Sequence, residues 1–377
     1  MSTTLHGNIK PGFEPVGEAF LANFADGFEV GASVSVVHRG ETVVDIWAGH
    51  TDLDRTTEWE RDTITNVWSS TKTMMFLVLL ELADKGALSL HDPVRAHWPE
   101  FAANGKESVT VAHLMAHTAG LPGWDRPMQP SDFYDHDLCA SALAAQAPWW
   151  EPGTASGYHA ISQGYLIGEL VRRVTGVSLG TYFRTTFAEP LGADFHIGTP
   201  ASCDARVALV IPAEAGLPPE LDPTSVAART FLNPPMDARM SHTVEWRRCE
   251  SAAANGHGNA RSVARVQSLL SHGGMLDGKR FLSEATCRRV LEEQSHGPDL
   301  VLGVPVRFGL GYGLASADMP IGGPGSCFWG GWGGSLCVND LDNRMTFAYV
   351  MNRMGDGTLG DDRGASLLLA SYAALAS

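Results

Sequence analysis

Trp68-Ser69-Ser70-Thr71-Lys72-Thr73, followed by Met74-Met75-Phe76-Leu77-Val78-Leu79-Leu80 and by Leu82 and Ala83, sets a serine and a lysine three apart at the mouth of a long apolar run. The run predicts a core helix over 70–85 that closes at Lys85-Gly86, with glycine in the C′ position. Positions three apart share a helix face. A helix beginning near Ser69 therefore brings the hydroxyl and the amine together where unpaired backbone N–H groups also converge. Desolvation disfavours an ammonium and lowers its pKa, and serine becomes nucleophilic once such a base lies within hydrogen-bond reach. Ser69 is the candidate nucleophile and Lys72 the candidate base. An S-x-x-K match also arises by chance, and a lysine in a first helical turn is often a solvated charge, so other segments must decide.

Two do. Trp149-Trp150-Glu151-Pro152-Gly153-Thr154-Ala155-Ser156-Gly157-Tyr158-His159-Ala160 is a turn-rich approach to a helix, which puts Tyr158 at a loop–helix junction. A phenol beside an ammonium has its pKa lowered by the positive charge, and would then shuttle a proton between Ser69 and a leaving group; its alternative role is an amphipathic anchor. Phe328-Trp329-Gly330-Gly331-Trp332-Gly333-Gly334-Ser335-Leu336-Cys337-Val338 reads as a strand whose glycines leave its backbone bare at one end. Such glycines permit close approach of a ligand, and a bare N–H paired with that of Ser69 is the geometry an oxyanion hole needs. A bulge or a glycine-rich turn is the other reading.

The rest of the chain bounds the answer. At 377 residues it exceeds the size at which a single core stops growing. Apolar content of 44% and charged content of 18% suit a globular protein. A net charge of −15 repels phosphate backbones and anionic lipid surfaces, which disfavours nucleic-acid and membrane partners. Residues 1–31 lack a basic stretch followed by an apolar one, and the longest apolar run is Met74–Leu80, so neither secretion nor membrane spanning is expected. Six scattered cysteines without a C-x-x-C pair suit a reducing compartment, and the expected location is cytoplasmic. Nothing in the composition assigns an oligomeric state.

Strands are expected at 32–37 and 42–47 as a hairpin, after a short helix within 15–26. Helices follow over 70–85, 108–116, 136–146, 158–175 and 178–187. Residues 190–250 are proline-marked and aperiodic, a long loop of the kind that lines a cleft. Helices at 259–271 and 283–293 precede strands near 308–314, 328–338 and 344–351 and a final helix at 361–375. This order implies an α/β domain made of 1–68 plus 251–377, and a mainly helical one over 69–250, with a cleft between them.

S-x-x-K, then a tyrosine motif about 90 residues later, then a glycine-rich strand near the C-terminus is the order seen in the serine β-lactamase superfamily, and the chain resembles it from about residue 30 to 352. Leu114-Met115-Ala116-His117-Thr118-Ala119-Gly120-Leu121-Pro122 looks like that superfamily's "LLxHTSGL" stretch, and Glu151-Pro152-Gly153-Thr154 like its "PGxxxxYS" approach. Trp329-Gly330-Gly331 is most similar to the W-G-G of family VIII carboxylesterases, relatives of class C β-lactamases and DD-peptidases in which it replaces K-T-G. The resemblance implies a β-lactamase-like fold, α/β plus all-α, with an antiparallel sheet flanked by helices and an inserted helical lobe. It implies that Ser69 is acylated, that Lys72 is its base, and that Tyr158 protonates the leaving group and activates water. Trp329, Gly330, Gly331 and Trp332 would form the oxyanion and substrate-binding strand, Trp332 giving the second N–H. Tyr158-His159-Ala160 lacks the asparagine of Y-x-N, and Trp329 removes the K-T-G lysine that attracts a β-lactam carboxylate, unless Arg353 or another cation compensates.

Trp124, Trp149, Trp150 and His159 are further candidates for the pocket, with Phe133 and Tyr134, because apolar ester groups suit aromatic walls. No G-x-S-x-G occurs, since Gly333-Gly334-Ser335-Leu336-Cys337 fails at its last position. His113 and His117 lack the glutamate of H-E-x-x-H, and Asp135-His136-Asp137 has no fourth donor nearby. No metal and no cofactor is expected. The sequence thus reads as a serine carboxylesterase acting on small or apolar esters through an acyl-enzyme on Ser69. The alternatives are a β-lactamase, a D-amino-acid amidase or peptidase, an acyltransferase of the same fold, or a non-catalytic sensor that is acylated once.

Overall fold

The computed structural model describes residues 3–214 and 221–376. Its frame is a nine-stranded antiparallel sheet built from the two ends of the chain. In chain order the strands are β1 (His6–Ile9), β2 (Gly31–His38), β3 (Glu41–Gly49), β4 (Ser295–Pro298), β5 (Pro305–Phe308), β6 (Gly313–Leu314), β7 (Ser326–Gly330), β8 (Leu336–Asp340) and β9 (Met345–Met351). Across the sheet they run β1-β3-β2-β9-β8-β7-β6-β5-β4. The N-terminal hairpin enters through β2, which pairs with β9 from Ala32 opposite Met351 to His38 opposite Met345. Every residue of β9, and all of β2 except His38, is buried. Alternate residues of a strand face opposite ways, so both faces at this point are covered. The cover comes from α6 (Ala260–Ser271), which packs on β2, β8 and β9, and from α7 (Asp362–Ala376), which packs on β9 and against α1 (Glu14–Ala22).

Between β3 and β4 the chain is mostly helical, with α2 (Lys72–Asp84), α3 (Val111–Met115), α4 (His136–Ala145) and α5 (Ser162–Thr175). Helix α2 is buried without a break from Lys72 to Leu82, so no polar stripe is needed and its residues from Met74 to Leu80 are all apolar. It closes where expected: Gly86 takes φ +71°, the left-handed turn that releases the chain from the helix. Helix α6 is set by Asn259, whose side chain accepts from the Ser262 N–H at 3.0 Å while Ser262 Oγ accepts from the Asn259 N–H at 3.1 Å. One hydrophobic core runs from the sheet through α6 and α2 into α4 and α5.

The expected elements at 32–47, 136–146, 344–351 and 361–375 are present with small end shifts. Three expectations are corrected. The stretch 328–338 is two strands, β7 and β8, joined by a turn at 331–335, because Gly333 and Gly334 adopt positive φ and reverse the chain. Tyr158 precedes α5 instead of opening it, since that helix begins at Ser162. The helix expected over 283–293 covers only Glu284–Arg288 before tightening to a 3₁₀ turn.

Because α2 touches both the sheet side and the helical side of the core, Phe76→Ala should cost about 3–5 kcal/mol. Urea unfolding measures this, and a loss below about 1 kcal/mol would make α2 peripheral to the fold.

Candidate active site

Ser69 lies in a 3₁₀ turn, Trp68–Thr71, that leads directly into α2. The preceding Trp68 has φ +49°, an unusual angle for a bulky residue and a sign of local backbone strain. Thr71 Oγ1 donates to the Trp68 carbonyl at 2.5 Å and accepts from the Gly256 N–H at 2.9 Å, which ties the turn to the segment before α6. Ser335 Oγ donates to the Val67 carbonyl at 2.8 Å. Its single hydrogen being used there, it accepts from Ser70 Oγ, also at 2.8 Å. The serine turn is thus fastened to the β7–β8 turn on one side and to the helical segment on the other.

Lys72 is wholly buried, its Nζ 3.2 Å from Ser69 Oγ. The same nitrogen donates to the Ala160 carbonyl at 2.7 Å and to the Ala253 carbonyl at 2.9 Å, and lies 4.8 Å from the centre of the Tyr158 ring. Burial with no carboxylate bonded to it pushes this amine well below the usual lysine range. A neutral amine has two hydrogens and one lone pair. The two carbonyls take the hydrogens, which leaves the lone pair for the Ser69 hydroxyl.

Tyr158 OH donates to Ser69 Oγ at 2.5 Å. The expectation that its phenol would be acidified is overturned: burial raises its pKa, outweighing the lowering effects of Ser69 and of the Trp329 indole. Desolvation is the largest influence on this phenol, and it disfavours the phenolate. The hydrogen-bond order that follows is Tyr158 to Ser69 to Lys72.

Gly331 packs against the serine turn so closely that a Cβ there would lie 2.3 Å from the Val67 carbonyl oxygen and 3.3 Å from the Ser69 nitrogen. Among the described residues, neither the Ser69 N–H nor the Trp332 N–H donates to a backbone acceptor. The turn that carries Trp332 is pinned from behind by Arg363, which donates to the Gly333 carbonyl at 3.0 Å and to buried Glu29 at 2.9 Å.

A cleft opens in front of Ser69 and Tyr158, walled by Trp68, Pro122, Trp124, Ile161, Phe231, Met236 and Trp332. Trp124 and Phe133 line it as expected, and so do Thr230, Phe231, Asn233, Pro234 and Met236 from the proline-rich stretch. Asn233 locks that stretch in place: it donates to the Trp124 and Arg126 carbonyls and accepts from the Met128 N–H, each at 2.8 Å. Trp68, Ala254 and Thr358 also line the cleft and carried no signal in the sequence beyond the first one's place beside Ser69.

Other candidates lie elsewhere. The Trp329 indole is fully buried behind Tyr158, at 5.4 Å between ring centres and stacked on His117, so its side chain meets no substrate. Gly330 meets the Leu359 carbonyl instead of the cleft. His159 is buried with both ring nitrogens engaged by backbone, at the Leu121 N–H and the Gly157 carbonyl. Trp150 donates to the Ala155 carbonyl, and Trp149 lies under the Arg229 guanidinium at 3.9 Å. Tyr134 is half-buried outside the cleft. Arg353 stacks on Phe28 at 4.5 Å and pairs with Glu214, away from the cleft lining. The donor atoms of Asp194, His196 and Cys203 come within 4.8 Å of one another, but Arg206 donates to both Asp194 and Cys203, and its charge opposes a cation there.

The beta-lactamase family model matches residues 20–371. The chain belongs to the beta-lactamase family. It is similar to a curated protein named esterase/beta-lactamase LipL from Mycobacterium tuberculosis, 34% identical over 92% of this chain and 83% of the relative. Among solved structures, a family VIII carboxylesterase is 40% identical with a TM-score of 0.93, over 98% of this chain and all of the other. A penicillin-binding-protein homologue from Caulobacter crescentus is 37% identical, also at 0.93, over 98% of this chain and all of the other. EstA from Arthrobacter nitroguajacolicus is 32% identical at 0.89, over all of this chain and 99% of the other.

The five lysines provide a direct check on the amine. With lysines labelled at Cε, Lys72 should titrate well below the usual 10.5, and Lys106, also buried, at about 8. A Lys72 signal that titrates with those of the exposed lysines would remove the neutral base.

Proposed function

We propose that this member of the beta-lactamase family is a serine carboxylesterase for small or apolar esters. The observation that carries the reading is the chain of contacts from Tyr158 OH through Ser69 Oγ to the lone pair of a buried, neutral Lys72. The family VIII carboxylesterase and the EstA structure, 40% and 32% identical over nearly the whole chain, support the same reaction class.

Lys72 takes the Ser69 proton as Oγ attacks the ester carbonyl, and becomes an ammonium held by two carbonyl oxygens. The oxyanion is received by the N–H groups of Ser69 and Trp332. Tyr158, protonated, hands its proton to the leaving alkoxide and is replenished from the Lys72 ammonium. The alcohol departs and Ser69 remains acylated. Water then attacks the acyl carbonyl and gives a proton to the same pair, the bond from Ser69 Oγ to the acyl carbon breaks, and that proton returns to Oγ as the acid leaves.

The substrate class follows from the walls. The cleft is lined by aromatic and aliphatic side chains together with Ser69, Thr230, Asn233 and Thr358, and no lysine or arginine lies among its lining residues. A β-lactam carboxylate would enter without a cation to receive it, whereas an uncharged ester loses nothing. The six cysteines are unpaired and five of them buried, which supports a cytoplasmic location.

Ser69→Ala should lower kcat/KM on nitrophenyl butyrate by at least about 10³-fold. Lys72→Met should do the same, and the wild-type rate should fall as the pH drops through the Lys72 titration, because the amine then carries its own proton. Parallel rates on a chromogenic cephalosporin and a D-alanyl amide should be far lower. Wild-type activity in the Ser69→Ala protein would refute the assignment, faster cephalosporin turnover would make it a β-lactamase, and a persistent adduct by intact mass would make it a sensor.

A further inference from the structure

Tyr158 reaches Ser69 from a strip of irregular chain before α5, where no helix or strand holds its main chain. The N–H groups of Gly157 and His159 on either side are held by the His117 carbonyl and Nδ1, and that of Tyr158 itself is held by Asp299, from the loop between β4 and β5, 141 residues away in sequence. Asp299 is 1% exposed. Its Oδ1 accepts three backbone N–H bonds, from Tyr158 at 3.0 Å and from Val301 and Leu302 at 2.9 Å each. A second tie runs the other way, from the Leu300 N–H to the Ser156 carbonyl at 2.9 Å. Three donors on one oxygen are what a carboxylate accommodates well.

We propose that Asp299 is the positioning residue for Tyr158, a side-chain acceptor that clamps its main chain and sets the phenol at hydrogen-bond distance from Ser69. It rests on the reading of Tyr158 as the proton-transferring group. The clamp lies beneath a ring whose hydroxyl is tied to Ser69 and which packs against Trp329 at 5.4 Å and His117 at 5.0 Å. His117 cannot replace it: its Nδ1 accepts the His159 N–H and its ring is buried. Trp329, Phe308, Val301 and Val306 form the apolar shell around the pair. A misplacement of the reacting group by about 1 Å costs on the order of 10²-fold in rate, and removal of the clamp leaves the Tyr158 N–H without its acceptor between two residues tied to His117.

The test separates positioning from general loosening. Asp299→Ala should lower kcat on nitrophenyl butyrate about 10- to 100-fold with KM within about 2-fold, and Asp299→Asn, whose amide oxygen still accepts the Tyr158 N–H, should recover most of it. Val301→Ala, a packing loss in the same loop that leaves the clamp intact, should keep kcat near that of the wild type. If Asp299→Ala does not fold, Asp299→Glu, which displaces the carboxylate by one methylene, should show the same kcat loss in a folded protein. Equal kcat values for Asp299→Ala (or Asp299→Glu) and Val301→Ala, or failure of Asp299→Asn to recover, would overturn the proposal. Tyr158→Phe tells the two readings apart: full activity there sinks the role of the phenol itself, while an inactive Tyr158→Phe beside an unimpaired Asp299→Ala sinks only the clamp.

Discussion

The structure depends on an amine buried without a counter-ion. Lys72 opens a helix whose buried run from Met74 to Leu80 is wholly apolar, and the groups it bonds are two neutral carbonyls and a hydroxyl. A charged ammonium in that position would lose its hydration for dipoles alone, so the neutral form is favoured and the lone pair faces Ser69. A carboxylate within bonding distance of Nζ would restore the charge and leave no base. The large apolar helix is therefore a requirement of the chemistry as well as of the core.

The same burial governs Tyr158 with the opposite chemical result. Desolvation removes a proton from lysine and keeps one on tyrosine, since in both cases it disfavours charge. Two neighbouring groups, one ready to accept and one ready to donate, emerge from a single environment. Holding them in register falls to elements far apart in sequence. Ser335 and Gly331 bring the β7–β8 turn to the serine, Gly256 anchors Thr71, and the β4–β5 loop anchors Tyr158. The sheet, made from both ends of the chain, supplies two of these anchors and the helical segment carries Tyr158.

What could be read from the residues alone was local or periodic. Helix α2 and its glycine stop follow from an apolar run and a turn residue, and the hairpin at 31–49 from alternating β-branched residues. The spacing of Ser69 and Lys72 needed only a helical turn, and the turn-rich approach marked Tyr158 as lying near a helix start. What could not be read depends on who sits behind whom. Trp329 looked like a substrate contact because Trp329-Gly330-Gly331 resembles the W-G-G of family VIII carboxylesterases, yet strand alternation and the pairing of β7 turn its ring to the far side of Tyr158. His159 looked available until both its nitrogens proved to be spent on backbone. Asp299 carries no motif, and only the folded chain brings it to Tyr158.

The cleft walls follow the same logic one step further out. Residues 230–236 form about a third of them, although that stretch has little periodicity, because Asn233 makes three hydrogen bonds to the 124–128 strip. A loop without its own core is thereby made part of a rigid wall, and Trp124 opposite Phe231 and Met236 gives an apolar slot that ends at Ser69. Arg353, the cation that would have suited an anionic substrate, is held by Phe28 and Glu214 outside that slot. On the proposed reading, a preference for uncharged acyl groups would depend on where this guanidinium is kept as much as on what lines the slot.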